Sequence, residues 1–306
     1  MGILVVGSVA YDDIQTPEEK QNNVLGGAAT HFSVAASFFS SVSVVGVVGD
    51  DFAKEHIAFL ESKNIDTSGI EIVKGGKTFR WAGRYLEDMN NRETIDTQLG
   101  VFASFNPKLH EKHRTMEYVF LANIHPGLQL SVLGQVEKPR LVAMDTMNLW
   151  INTEREDLLR VIERVDMIFI NDEEAKLLTG NSNVLKAARK IMEWGPRIIV
   201  IKRGEFGALL FKGNDVFSAP ALPLSQVKDP TGAGDTFAGG FMGYVAKTDD
   251  LSDTSLRRAV IVGSVMASYQ VEDFGLDRLR TLTEGEINER FARFKNLAHF
   301  DHDPLF

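Results

Sequence analysis

Short runs of β-branched and apolar residues alternate along this chain with stretches of helical pattern, and that alternation limits the fold more than any other feature. The apolar runs are Ile3–Val9, Val42–Val47, Tyr118–Ala122, Leu141–Asp145, Met167–Ile170 and Ile198–Lys202. Between them the patterns predict helices around Ala28–Phe39, Phe52–Lys63, Asp157–Arg164, Glu173–Leu178, Val184–Glu193, Asp235–Val245, Leu256–Tyr269 and Glu286–Phe294. Such a succession builds a mostly parallel sheet covered by helices. With 306 residues, 44% of them hydrophobic, the chain can bury a sizeable core as one large α/β domain or two smaller ones. No internal repeat, low-complexity tract or long linker marks a domain boundary.

One segment breaks the rhythm. Lys77–Leu86 and Thr94–Leu99 read as two strands joined by the polar Asp88–Arg92, which is a β-hairpin inserted between α/β units.

The chemistry is concentrated in Asp229-Pro230-Thr231-Gly232-Ala233-Gly234-Asp235-Thr236, which runs straight into Phe237-Ala238-Gly239-Gly240-Phe241-Met242-Gly243. Small residues form a turn that opens onto a helix. The first backbone N–H groups of a helix lack partners and the dipole there is positive, so an anion is welcome. Gly232, Ala233 and Gly234 would bring their N–H groups up to a phosphate, the glycines with no Cβ in the way. Asp235 then stands where it can take a proton from a hydroxyl attacking that phosphate. A plain turn with an Asp cap would look similar locally. Gly239, Gly240 and Gly243 favour the sharper reading. Each costs about 0.5–1 kcal/mol relative to Ala inside a helix, so a helix that keeps all three packs very closely on a neighbouring backbone or a ligand.

These residues resemble the C-terminal signature of the ribokinase family, also called the PfkB carbohydrate kinases. The likeness spans nearly the whole chain. Gly7-Ser8-Val9-Ala10-Tyr11-Asp12 is similar to the family's first strand and substrate-binding Asp, and Gly26-Gly27-Ala28-Ala29-Thr30-His31 resembles its Gly-Gly signature. Val45–Phe52, Asn171–Gly180 and Ile201–Leu209 are similar to further family segments. The resemblance implies a three-layer α/β/α sandwich as a single kinase domain over 1–306. A small β lid, formed by roughly 11–25 and 75–102, would close over the substrate and share a homodimer interface. The implied reaction is transfer of the ATP γ-phosphate to a hydroxymethyl group of a sugar, with Asp235 as general base. A nucleoside acceptor, of adenosine or inosine type, is the alternative on the same fold.

By position in those motifs, Asp12, Gly26 and Gly27 would bind the acceptor. A carboxylate following a strand can accept from two sugar hydroxyls at once. His31 departs from the family, which has Asn there, and the residues leave open whether it meets hydroxyls or is a buried, satisfied histidine. His125, next to Pro126, falls in a similar place and reads as a surface-loop residue. Asn171 and Glu174 resemble the element that organises magnesium (Mg2+) and phosphate, and they also fit a helix capping box. Lys202, Gly204 and Gly207 resemble the nucleotide-side loop, where the family has Thr-Leu-Gly. Asp229 and Thr231 match positions that in some members hold a monovalent cation such as K+.

Composition sets the outer limits. A net charge of −9, from 33 basic against 42 acidic residues, argues against nucleic acid or an anionic membrane as the main partner. There is no cysteine, which suits a reducing cytoplasm, and Ile3–Val6 is too short for a signal peptide. No run approaches eighteen apolar residues, so no membrane span is expected. His110 with His113, and His299 with His302, have no convincing further ligands for a metal. A silent sugar- or nucleotide-binding regulator remains a different class of reading, although such a protein has no need of Asp235.

Overall fold

The run Ile3–Val6 has no exposed side chain, and a strand hidden on both faces belongs inside a parallel sheet. The computed structural model, which describes residues 1–297 and 299, places it there. In chain order the strands are β1 (Gly2–Val6), β2 (Ala10–Gln15), β3 (Lys20–Gly26), β4 (Ser41–Gly49), β5 (Ile65–Val73), β6 (Phe79–Tyr85) and β7 (Arg92–Gln98). They continue with β8 (Tyr118–Leu121), β9 (Leu141–Asp145), β10 (Met167–Asn171), β11 (Ile198–Lys202), β12 (Ala208–Lys212) and β13 (Asp215–Ala219). Nine of them form one sheet in the order β13-β12-β11-β10-β9-β8-β1-β4-β5. From β11 to β5 every neighbouring pair is parallel, while β12 and β13 add on antiparallel. Helices cover both faces, giving two apolar clusters, one on each side of the sheet. The fold is therefore the expected α/β/α sandwich.

The other four strands form a small sheet in the order β3-β2-β6-β7. It is built from the excursion after β1 and the inserted hairpin. Tyr85, Ile14 and Phe274 make a small apolar cluster that ties it to the loop before the Asp277–Thr281 helix.

The helix Ala233–Thr248 explains its own glycines. A Cβ on Gly239 would come within 2.3 Å of the Phe32 carbonyl oxygen, and one on Gly243 within 2.9 Å of the Ala36 carbonyl oxygen. The helix thus lies backbone to backbone on the Ala28–Ser37 helix, and the close neighbour is protein rather than ligand. Stacking of Phe32 on Phe120, with ring centroids 4.1 Å apart, locks the Ala28–Ser37 helix to β8. Strand order reverses at β1, since β4 and β5 lie to one side and β8 to β11 to the other. Crevices at such a reversal, outside the carboxyl ends of the strands, are where open α/β sheets bind ligands.

Several boundaries differ from expectation. β1 stops at Val6 because Gly7–Val9 leaves the sheet toward β2. β5, β12, β13 and the Pro126–Leu133 helix had no counterpart among the predicted elements. Of the histidines set aside above, His302 lies outside the described residues. Among the described residues, no helix is long and apolar enough to cross a membrane.

Candidate active site

The signature turn folds as its glycines require. Ala233 N–H donates to Pro230 O at 3.2 Å, closing a tight turn with Gly232 at φ 73° and ψ 1°. That is the third position of a type II turn, where glycine is favoured. Space demands it too, because a Cβ there would lie 2.4 Å from the His31 ring. Gly232 and Gly234 N–H find no acceptor among the described residues, whereas the Ala233 amide is spoken for by Pro230. Two of the three expected amides are therefore open to an anion.

Asp235 follows in the first turn of the helix, half-buried. Burial, then the nearby Asp145 charge, push its carboxyl up to about 7, against the pull of Lys202 and Arg92. Lys202 Nζ stands 2.7 Å from Asp145 Oδ2, and both side chains are largely buried. Burial opposes the Lys202 charge, but Asp145, Glu174 and Asp235 outweigh it and hold its pKa above the usual value. A Cβ on Gly234 would lie 3.0 Å from that same Nζ. The ammonium thus sits against the mouth of the helix.

Asn171 and Glu174 form the capping box in full: Glu174 N donates to Asn171 Oδ1 at 2.7 Å, and Asn171 N to Glu174 Oε2 at 2.9 Å. Burial, then Asp145, raise Glu174 to about 7, with Lys202 opposing. Among the described residues no three acidic or histidine side chains gather as a ready-made metal cage. A cation held chiefly by phosphate oxygens and water needs none, and the crowded carboxyls of Glu174, Asp145 and Asp235 would welcome its charge.

Across the cleft, the Asp12 carboxylate lies over Gly26, where a Cβ would come within 2.0 Å of Oδ2. Gly27, at φ 96°, starts the Ala28–Ser37 helix against the Ser8 carbonyl. Burial, then Asp229 and Asp235, push Asp12 up to about 8. Asp229 is fully buried, accepting from Thr231 N at 2.8 Å and Gly275 N at 2.9 Å. Burial raises it as well.

His31 is buried beneath Gly232, and both ring nitrogens lack a hydrogen-bond partner among the described residues. It is thus buried but not satisfied, and burial lowers it to about 4, so the ring is neutral at pH 7. His125 caps the Pro126–Leu133 helix through Nδ1, which accepts from Gly127 N at 3.0 Å. Gly204 and Gly207 take φ 53° and 83° in the turn between β11 and β12, where Asn90 of the β6–β7 turn approaches Glu205 at 3.3 Å.

Two residues near the turn were not assigned to the site from the sequence, where Tyr85 read as part of a solvated, dimer-facing strand. Tyr85 on β6 shares a hydrogen bond with Thr231 at 3.0 Å. Arg92 on β7 is exposed, and it lies opposite Tyr85 on the face of the small sheet that meets Thr231. Its charge bears on Asp12, Glu174 and Asp235 alike. Only the register of the small sheet brings it there, opposite Tyr85.

An α/β sandwich with two open amides at a helix mouth, a half-buried carboxylate beside them and a small second sheet fits a phosphotransferase of ribokinase fold. The sequence profile of the pfkB family carbohydrate kinases matches residues 2–279, and the chain belongs to that family of kinases. The cytidine kinase of Thermococcus kodakarensis is 33% identical, over 80% of this chain and 88% of its own. The nucleoside kinase of Methanothermobacter thermautotrophicus is 28% identical, over 99% and 97%. Among solved structures, the nucleoside kinase of Methanocaldococcus jannaschii superposes with a TM-score of 0.75 at 22% identity, covering 95% of this chain and 98% of that one.

Proposed function

We propose that this chain transfers the γ-phosphoryl group of ATP to the hydroxymethyl group on the ribose of a nucleoside. The expected sugar chemistry is kept, with the sugar carrying a base. The cytidine and nucleoside kinases among its relatives support that acceptor. The observation that carries the reading is Asp235, half-buried beside the open amides of Gly232 and Gly234, with its proton affinity set near neutrality.

Asp235 takes the hydroxyl proton as the acceptor oxygen bonds to the γ-phosphorus. The bond from that phosphorus to the bridging oxygen breaks and ADP leaves. Charge on the transferring group is met by the Gly232 and Gly234 amides, by the helix dipole and by Lys202. The Ala233 amide would have to release Pro230 first, so it is secondary. Asp12, with Gly26 and Gly27, holds the ribose hydroxyls. His31 supports the phosphate turn from below rather than touching the acceptor.

The β11–β12 turn, with Gly204 and Gly207, lies on the nucleotide side. Mg2+ bound with ATP supplies charge neutralisation at the phosphates, and Asn171 and Glu174 would hold it through water. Asp229 and Thr231 are the proposed seat of a monovalent cation, K+ included, whose charge would relieve a fully buried carboxyl.

The small sheet serves as a lid on one kinase domain spanning the chain, excluding water from the transfer. β7 is exposed along its whole length at the sheet's edge, and a homodimer would cover it there. A cysteine-free enzyme fed by ATP suits the cytoplasm.

ADP release measured with cytidine, other nucleosides, ribose and fructose tests the reading. Fastest turnover is expected with a nucleoside. ATP left intact by every one of them would overturn it.

A further inference from the structure

The cleft face of the small sheet carries a flat aromatic surface that phosphoryl transfer does not use. Between β2 and β6, Asp12 stands opposite Trp81 and Ile14 opposite Gly83. Between β6 and β7, Gly83 stands opposite Thr94 and Tyr85 opposite Arg92. Directly opposed residues share a face of a sheet. Asp12, Trp81, Gly83, Tyr85, Thr94 and Arg92 therefore point the same way. The Tyr85–Thr231 hydrogen bond shows that this way is toward the transfer site.

Trp81 is fixed on that face. Its Nε1 donates to Thr94 Oγ1 at 3.3 Å. The indole lies along Gly83, where a Cβ would come within 2.0 Å of the ring, so any other residue at 83 would displace it. The Arg92 guanidinium stands 5.5 Å from the ring centroid. Trp81 is only half-buried and joins none of the apolar clusters of the described residues. A large aromatic ring held rigid beside a cleft, and outside any core, is suited to contact a ligand.

We propose that Trp81, with the Arg92 guanidinium over its ring, is the surface on which the base of the acceptor stacks, and that it makes the enzyme select nucleosides over base-less sugars. The inference rests on the nucleoside reading above. One strand spacing, about 4.8 Å, separates Asp12 from Trp81. A ribose whose hydroxyls meet Asp12 therefore carries its base toward the neighbouring strand. Every base has a π-face, so stacking on indole or guanidinium tolerates different bases. Trp81 is a specificity-determining residue here, with no part in proton transfer.

Steady-state kinetics on Trp81→Ala and Trp81→Phe test it, with cytidine, adenosine and ribose as acceptors. Stacking energies of the usual size predict a rise in nucleoside KM of roughly 5- to 150-fold for Trp81→Ala. The ratio of nucleoside to ribose kcat/KM should fall by a similar factor, and Trp81→Phe should recover most of it. A second readout needs no turnover: cytidine without ATP should quench the tryptophan emission of the wild type, and the quench should vanish in Trp81→Phe. Wild-type turnover of nucleosides with an unchanged nucleoside KM in Trp81→Ala overturns this inference alone. Wild-type turnover restricted to base-less sugars overturns the nucleoside reading, and this one with it.

Discussion

The Tyr85 hydroxyl, on β6 of the small sheet, lies 3.0 Å from the Thr231 hydroxyl in the turn that opens the Ala233–Thr248 helix. Both groups are buried. The bond therefore joins the small sheet to the turn that presents the open Gly232 and Gly234 amides, and the position of one is felt by the other.

Replacing Tyr85 with Phe should loosen that junction. A buried neutral hydrogen bond contributes about 0.5–1.5 kcal/mol, so hydrogen exchange across β6 and β7 should quicken by about 2- to 10-fold. Unchanged exchange would show that other contacts hold the sheet in place.

Lys202 lowers the Asp235 carboxyl, so removing its charge must raise it. Lys202→Met should shift the acid limb of the kcat/KM profile to higher pH. The variant also strands a buried Asp145, at a cost of about 3–5 kcal/mol. Lys202→Arg, which keeps the charge, is the companion that should hold the limb near its wild-type position. An acid limb at the same pH in Lys202→Met would detach Lys202 from the base.

Asp12 offers a test in stability. Its folded pKa, about 8, lies above the ordinary value of 3.8, so folding favours the protonated form. That contribution is full below about pH 4 and is lost as pH rises toward 8. Asp12→Asn keeps a neutral group throughout. Its Tm should therefore gain on the wild type between pH 5 and pH 8, and a constant Tm difference across that range would contradict the burial of the carboxyl.

Much of this site was legible because its residues answer to local rules. Gly232 sits where a turn needs a positive φ, and the Asn171–Glu174 pair caps a helix at the spacing that capping requires. Buried strands such as β1, β8 and β10 declared themselves as apolar runs. What stayed hidden depends on register and on faces. Arg92 lies in a polar segment that reads as a turn, and only its pairing with Tyr85 puts it on the face that meets Thr231. β13 mixes exposed Val216 with exposed polar residues and lacks the apolar run that marked the central strands. The Pro126–Leu133 helix shows no one-sided apolar stripe, so its only signals were the cap at His125 and the proline after it. His31 read as either a substrate contact or a satisfied core residue; it lies buried beneath Gly232 with both ring nitrogens unpartnered among the described residues, which no local pattern signalled.

Rapid-quench measurement of a single turnover by Asp235→Asn, beside its ATP affinity, bears most directly on the mechanism. Loss of the general base predicts transfer slower by about 10²- to 10⁴-fold, with ATP bound within about threefold of wild type because the Gly232 and Gly234 amides are untouched. Transfer within tenfold of the wild-type rate would contradict the assignment of Asp235 as the base.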